Sequence, residues 1–343
     1  MEDIRSIAQH DLAKHPCLRD EKPFRVKQIT EWLYRKGIQD FGQMKNVPAA
    51  TITLLKEHFT FSAAHITTVL RSNDKTIKTA FQLTRGGMIE GVLIPSGDRV
   101  TACISSQAGC KLNCSFCATA RMKSHQNLLA GEIIDQVFQL NILSEKEYNT
   151  GVSNIVLMGM GEPLLNYDEV MTAINHITEK EGMGISPRRI TLSTAGIVPG
   201  IRRLAANDVK FNLAVSLHSA DDRIRSSIMP VNKKYPLAEL SGTLQEYHHK
   251  TRQRITIEYI LFDKLNDSVE DAKKLAVFCR AFPCKINIIE YNPVKGTGFK
   301  PSSDERTEAF SRFLESRNMI VNIRRSRGKD IDAACGQLAG KKT

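Results

Sequence analysis

Three cysteines stand at CxxxCxxC spacing in Cys110-Lys-Leu-Asn-Cys114-Ser-Phe-Cys117, just past a run that reads as a strand. Three thiolates that close together make a site for a metal or a metal cluster. A closed structural zinc site needs four ligands and usually draws them from two paired clusters, and no second cluster is present. Iron fits better, because three cysteines can hold three irons of a [4Fe-4S] cluster and leave the fourth open. An open iron can bind a small molecule, to which a low-potential cluster can pass one electron. That is the logic of S-adenosylmethionine (SAM) cleavage. Zinc with Cys103 as fourth ligand is the plainer reading of the same spacing.

Such a loop needs elements to position it. From residue 100 onward, apolar runs alternate with helical patterns, and each run ends in polar or glycine-rich sequence. The pattern predicts strands over Asn154–Met158, Arg189–Ser193, Asn212–Leu217, Ile255–Leu261 and Lys285–Glu290, with helices such as Gly131–Leu143 between them. Strand-helix units this rich in Val, Ile and Leu imply a parallel sheet curled into a barrel or partial barrel, with its chemistry at the carboxyl ends of the strands. Those ends carry Cys110 to Cys117, Gly159-Met-Gly161-Glu162-Pro163, Ser193-Thr194-Ala-Gly196, Ser216-Leu-His218-Ser219 and Tyr291-Asn292-Pro293. The glycines of the second loop suit close backbone approach, and Glu162 suits an ammonium partner. Each loop alone also reads as an ordinary turn, and His218 as a core histidine. Their shared place around one barrel mouth is what singles them out.

Ahead of the barrel, short strands and turns between Ile66 and Ser106 read as hairpins feeding the cysteine loop. The first sixty or so residues read as helices: Pro23 suits a first turn, Val26, Ile29, Trp32 and Leu33 recur on one face, and Gly37 can stop the helix. A second helical spacing surrounds Ile52, Leu55 and Phe59. The expected organisation is a helical accessory domain over 1–62, a β-hairpin extension over 63–99, an α/β barrel core over 100–300, and a C-terminal helix, strand and loop over 301–343.

The chain has 343 residues and a formal charge of +11, from 48 basic and 37 acidic residues. Basic residues gather at Arg188-Arg189, Arg202-Arg203, Lys233-Lys234, Arg324-Arg325-x-Arg327-Gly-Lys329 and Lys341-Lys342. This balance suits a polyanionic partner, nucleic acid above all, with solvated surface charge as the plain alternative. Aromatics are only 6%, which argues against a generic single-strand stacking platform. No apolar run approaches membrane length, and Met1-Glu-Asp-Ile-Arg lacks a basic start followed by an apolar stretch, so a soluble, cytoplasmic protein without membrane contact is expected. Eight cysteines, three of them crowded into one motif, suit a reducing compartment. Cys17, Cys279 and Cys284 read as ordinary thiols, and a monomer is the default.

The motifs taken together resemble a known family. Cys110-x3-Cys114-x2-Cys117, with phenylalanine before the last cysteine, is similar to the radical SAM signature, and Gly159-Met-Gly161-Glu162-Pro163-Leu-Leu-Asn resembles that superfamily's methionine-binding loop. Cys103-Ile-Ser-Ser-Gln-Ala-Gly-Cys110 and Asp330-Ile-Asp-Ala-Ala-Cys335-Gly-Gln-Leu-Ala-Gly340 narrow the likeness to the dual-specificity RNA adenine-C2 methyltransferases of the RlmN type. The likeness runs from about Pro23 to Gly340.

The resemblance implies a partial (βα)6 radical SAM barrel and assigns roles. Cys110, Cys114 and Cys117 match the cluster ligands; Gly161, Glu162, Ser193, Ser216, Leu217, His218 and Asn292 match positions that hold SAM. Cys335 matches a cysteine that becomes S-methylated, Cys103 a thiol that resolves a protein–RNA adduct through a transient disulfide, and Glu90 a proposed proton acceptor. The C2 carbon of adenine is electrophilic and cannot attack a sulfonium methyl directly. The resemblance therefore implies two SAM per turnover: one methylates Cys335, and the other yields a 5′-deoxyadenosyl radical that activates that methyl for addition to C2. The implied targets are adenosine 2503 of 23S rRNA, before assembly buries it, and adenosine 37 of some tRNAs, both captured as splayed bases. An external electron donor such as a flavodoxin system is implied as well. C8 methylation of the same rRNA adenosine is the nearest alternative, a zinc-stabilised RNA-binding module without catalysis a more distant one. A methylthiotransferase would need a second cysteine triad, which is absent. The basic run from Arg324 to Lys329 is expected to lower the Cys335 thiol pKa if the chain folds it close.

Overall fold

The computed structural model describes residues 1–340, so the expected basic tail at Lys341-Lys342 lies outside the described residues. One ten-stranded sheet organises the molecule. Its strands are β1 (Ala64–Arg71), β2 (Ile77–Leu83), β3 (Met88–Ser96), β4 (Arg99–Cys103), β5 (Asn154–Leu157), β6 (Ile190–Thr194), β7 (Asn212–Ser216), β8 (Ile255–Leu261), β9 (Cys284–Glu290) and β10 (Val321–Arg324), and each lies beside its predecessor in sequence. β1 to β4 form an antiparallel meander, and every pairing from β4 to β10 is parallel. β1 and β10 are the two free edges, so the barrel is open.

Antiparallel neighbours need only tight turns, whereas parallel neighbours need crossovers. The helices α3 (Ala130–Tyr148), α4 (Tyr167–Thr178), α5 (Val198–Ala206), α6 (Asp222–Ile228), α7 (Leu237–Thr251), α8 (Val269–Cys279) and α9 (Asp304–Glu315) supply them. They cover the outer face and bury the aliphatic residues of both layers, including Ile133, Ile155, Leu192, Leu213, Ile257 and Ile286. β8 is buried along its whole length, as expected of a strand covered on both faces. The strand expectations hold to within a residue. α3 runs five residues past the expected Leu143, because Glu145, Lys146 and Glu147 are good helix formers and Asn149 closes it in the left-handed region at φ 54°.

The two long helices of the first sixty residues are α1 (Pro23–Tyr34) and α2 (Ala49–His58), counted ahead of the sheet, with a single helical turn at Gln9–Leu12 before them. Ile4, Ile29, Leu33, Leu55 and Phe59 build a core of their own. Phe59 lies just past α2, where Phe59–Thr60 pairs in parallel with Glu2–Asp3. A fully buried ion pair, Arg5 Nη1 to Asp135 Oδ1 at 2.5 Å, joins this core to α3. No helix among the described residues is long and apolar enough to cross a membrane.

Candidate active site

The carboxyl ends of β4 to β9 surround a cavity of about 190 Å³, open to solvent at its mouth. Its wall holds Cys110, Cys114 and Cys117, the strand-end residues Gly161, Glu162, Ser193, Ser216 and His218, and both Cys103 and Cys335. Cys103 arrives at the end of β4 and Cys335 on a segment that follows β10. Two cysteines far apart in sequence thus face one space. Leu217, Asn292 and Glu90 do not line it. Leu217 is fully buried behind it, Asn292 donates to Ser326 Oγ at 2.8 Å, and Glu90 is buried under the Cys335 segment.

The cysteine loop is fixed from two sides. Ser115 N donates to Ile228 O at 3.0 Å at the end of α6, and Ala118 N donates to Gly336 O at 2.8 Å. Burial pushes the Cys110 thiol up to about 12 and the Cys114 thiol well above its ordinary value, with the neighbouring thiols and Glu162 adding to it. Ionised together, these groups need a positive centre among them. Among the described residues no three His, Cys, Asp or Glu side chains converge on a single metal ion. The donor set and the space fit an iron–sulfur cluster with a bound nucleoside.

Gly159 and Gly161 are required by packing within the protein itself. A Cβ at Gly161, whose φ is +100°, would meet Gln107 N at 2.7 Å, and one at Gly159 would meet Ile104 O at 2.7 Å. The expected close approach is therefore of this loop to the stretch leading into the cysteines, with Ser106 N and Gln107 N both donating to Met160 O. Glu162 Oε2 accepts from Ala195 N at 2.7 Å and Oε1 from Leu164 N at 3.1 Å. Burial still prevails and pushes its carboxyl up to about 7.

His218 sits at φ 56° with its Nδ1 accepting from Ile260 N at 3.1 Å. That bond leaves the proton on Nε2. Burial, with Arg225 nearby, pushes the ring down to about 3, so the imidazole is neutral. The ring meets Phe116 edge-on at 5.2 Å, and Phe116 also packs on Phe262. The phenylalanine of the cysteine motif thereby ties the loop to β8.

The expectation for Cys335 is reversed. The residue is exposed, yet the crowding around its thiol on the cavity wall raises its pKa, with Glu258 adding to the rise while Arg324 alone of the basic run opposes it. The other cations are committed elsewhere: Arg325 to Asp304 at 2.7 Å, Lys329 to Glu290 at 2.7 Å and Arg327 to Asp74 O at 3.5 Å. Burial likewise raises the Cys103 thiol, and Cys335 contributes to it. Cys17, Cys279 and Cys284 stand away from the cavity wall.

Three residues escaped the sequence reading. Glu258 lines the cavity from the middle of β8, in register with Ser216 and Asn287, and its Oε1 accepts from Asn287 Nδ2 at 2.8 Å. A lone carboxylate within an apolar run was a usable signal. Arg225 is fully buried and knits the strand ends together through Leu217 O, Ala195 O and Asn232 Oδ1. Nothing in sequence separates it from the surface arginines around it. Lys78, inside β2, is nearly buried 3.5 Å from Glu90.

Comparison with known proteins follows the same outline. Residues 104–276 match the Radical SAM superfamily profile, and residues 3–60 match the Ribosomal RNA large subunit methyltransferase N-terminal domain. Proteins named probable dual-specificity RNA methyltransferase RlmN are 48% identical in Flavobacterium psychrophilum, over 99% of this chain and 98% of that one, and 41% identical in Salinibacter ruber, over 99% and 94%. A crystal structure of a radical SAM methyltransferase from Sphaerobacter thermophilus, 38% identical, covers 99% of this chain and 100% of its own with a TM-score of 0.92.

Proposed function

Because this chain belongs to the RlmN family of dual-specificity RNA methyltransferases within the radical SAM superfamily, we propose that it makes 2-methyladenosine at position 2503 of 23S rRNA and position 37 of some tRNAs. It is a SAM-dependent RNA methyltransferase that uses a [4Fe-4S] cluster and two SAM per turnover. When bound, the cluster and SAM supply an electron for radical generation and a sulfonium methyl. The observation that carries the reading is the meeting of Cys103 and Cys335 on the wall that also holds Cys110, Cys114 and Cys117.

In this reading Cys110, Cys114 and Cys117 hold the cluster. Glu162 and the backbone around Gly161 face the amino acid end of SAM, Ser193 and Ser216 offer hydroxyls, and His218 offers its Nε2–H. Leu217 and Asn292 support this wall from behind. Cys335 takes up the methyl and presents it to the adenine C2, Glu90 accepts the C2 proton, and Cys103 displaces Cys335 from the product by forming a disulfide with it. The apolar lining keeps bulk water from these groups. An external reductant such as a flavodoxin supplies electrons, and the enzyme acts in the cytoplasm as a monomer.

Mass spectrometry of RNA after anaerobic incubation with SAM and reductant tests the reading. Wild-type protein yields 2-methyladenosine and Cys335→Ala none. Detection of 8-methyladenosine instead would overturn the C2 assignment.

A further inference from the structure

The segment that carries Cys335 is held at both feet by one buried ion pair. On β2 and β3, Ala80 stands directly opposite Glu90, which places Lys78, two residues before Ala80, on the same face of the sheet. Lys78 Nζ lies 3.5 Å from Glu90 Oε1, with side-chain exposures of 8% and 2%. The same ammonium donates to Asp332 O at 3.2 Å, and the other carboxylate oxygen, Glu90 Oε2, accepts from Ala339 N at 2.8 Å. Asp332 and Ala339 bracket Ala333, Ala334, Cys335, Gly336 and Leu338, which line the cavity. One foot is therefore fastened by the lysine and the other by the glutamate.

A buried ammonium is costly unless its charge is matched and its protons are accepted. Here the matching group is the carboxylate read above as the proton acceptor, and the accepting carbonyl belongs to the methyl-carrying segment. We propose that Lys78 is a positioning residue for the reaction, holding Glu90 and the Cys335 segment in one frame so that methyl carrier and proton acceptor address the same adenine. The inference rests on the reading of Glu90 as that acceptor. The crown of the segment has separate fastenings, Thr119 Oγ1 to Leu338 O at 2.6 Å and Ala118 N to Gly336 O at 2.8 Å. Loss of Lys78 therefore leaves Cys335 beside the cluster loop and loosens its alignment with Glu90.

The test compares Lys78→Met, which keeps the stem without the charge, with Lys78→Arg, which keeps charge and donors. Four quantities are read: Cys335 methylation by peptide mass spectrometry, amide exchange over residues 328–340, RNA product, and covalent protein–RNA adduct on denaturing gels. In Lys78→Met, Cys335 methylation persists, amide exchange rises, product formation falls about a hundredfold as expected for a misplaced reacting group, and adduct accumulates. Lys78→Arg recovers most of the product. The proposal is overturned if Lys78→Met makes product at the wild-type rate, if Cys335 methylation is lost in step with product, or if Lys78→Arg is no better than Lys78→Met. Glu90→Gln separates the two readings: product at the wild-type rate in that variant removes the role of Glu90. Adduct accumulation in Glu90→Gln but not in Lys78→Met removes the role of Lys78 alone.

Discussion

At Cys335 desolvation and the Glu258 carboxylate raise the thiol pKa against Arg324, and they prevail. Alkylation of the apoprotein by iodoacetamide therefore reaches half its maximal rate at Cys335 only above pH 9.0, the ordinary value for such a thiol; a midpoint below that would show the cations winning. Glu162 presents the companion case. With its carboxyl near 7, it is protonated and unable to meet an ammonium below neutrality, and ionised above. SAM affinity of the cluster-loaded protein accordingly rises between pH 6 and pH 8, and Glu162→Gln flattens that rise in equilibrium binding. At this scale Glu162 and His218 were legible because each follows a strand end, Cys110, Cys114 and Cys117 because of their spacing, and Cys335 only through the family resemblance. Lys78 and Glu90 were not legible as a pair. Their partners Asp332 and Ala339 lie some 250 positions away in sequence, and no periodicity encodes a contact between a strand and a distant carbonyl.

Among the elements, the parallel strands could be read because burial on both faces demands continuous apolar runs. The starts of two shifted by one residue. The 3-10 turn Pro187–Arg189 defers β6 to Ile190, and Cys284 joins β9 through its pairing with Ile255. The seat of the first sixty residues was not written in their own pattern, since it depends on Arg5 reaching Asp135 and on Tyr34 stacking at 4.0 Å on His176 of α4. Burial pushes the His176 ring down to about 4, prevailing over the Arg5 and Ile7 backbone, which favours the charged form. The native state thus refuses a proton that the unfolded chain accepts below 6.5, so stability is lost as pH falls from there toward 4. The loss amounts to about 2 kcal/mol by pH 5. His176→Phe keeps the stacking and removes the titration, so urea midpoints at pH 7 and pH 5 should differ less in the variant than in the wild type.

For the whole molecule, the +11 charge is only partly free. Arg203 pairs with Asp168 at 2.6 Å, Arg325 with Asp304 and Lys329 with Glu290, so counting basic clusters overstates what is open to phosphate. Enough remains for salt-sensitive RNA binding. If about six to ten phosphates are engaged, affinity falls about 10³ to 10⁵-fold between 50 and 200 mM salt. Filter binding across that range checks it, and a flat response would count against an RNA substrate.

The open sheet gives the Cys335 segment a mechanical character. After β10, at one free edge, the chain crosses to the β1–β2 turn at the other, where Gly328 N donates to Asp74 Oδ2 at 2.9 Å and Ser72 Oγ to Asp330 Oδ1 at 2.5 Å. The split in the barrel wall is spanned by the same stretch that bears the reactive sulfur, as a hoop spans a split ring. Cys335 is thereby strung between the two free edges of the sheet, and both edges set its place.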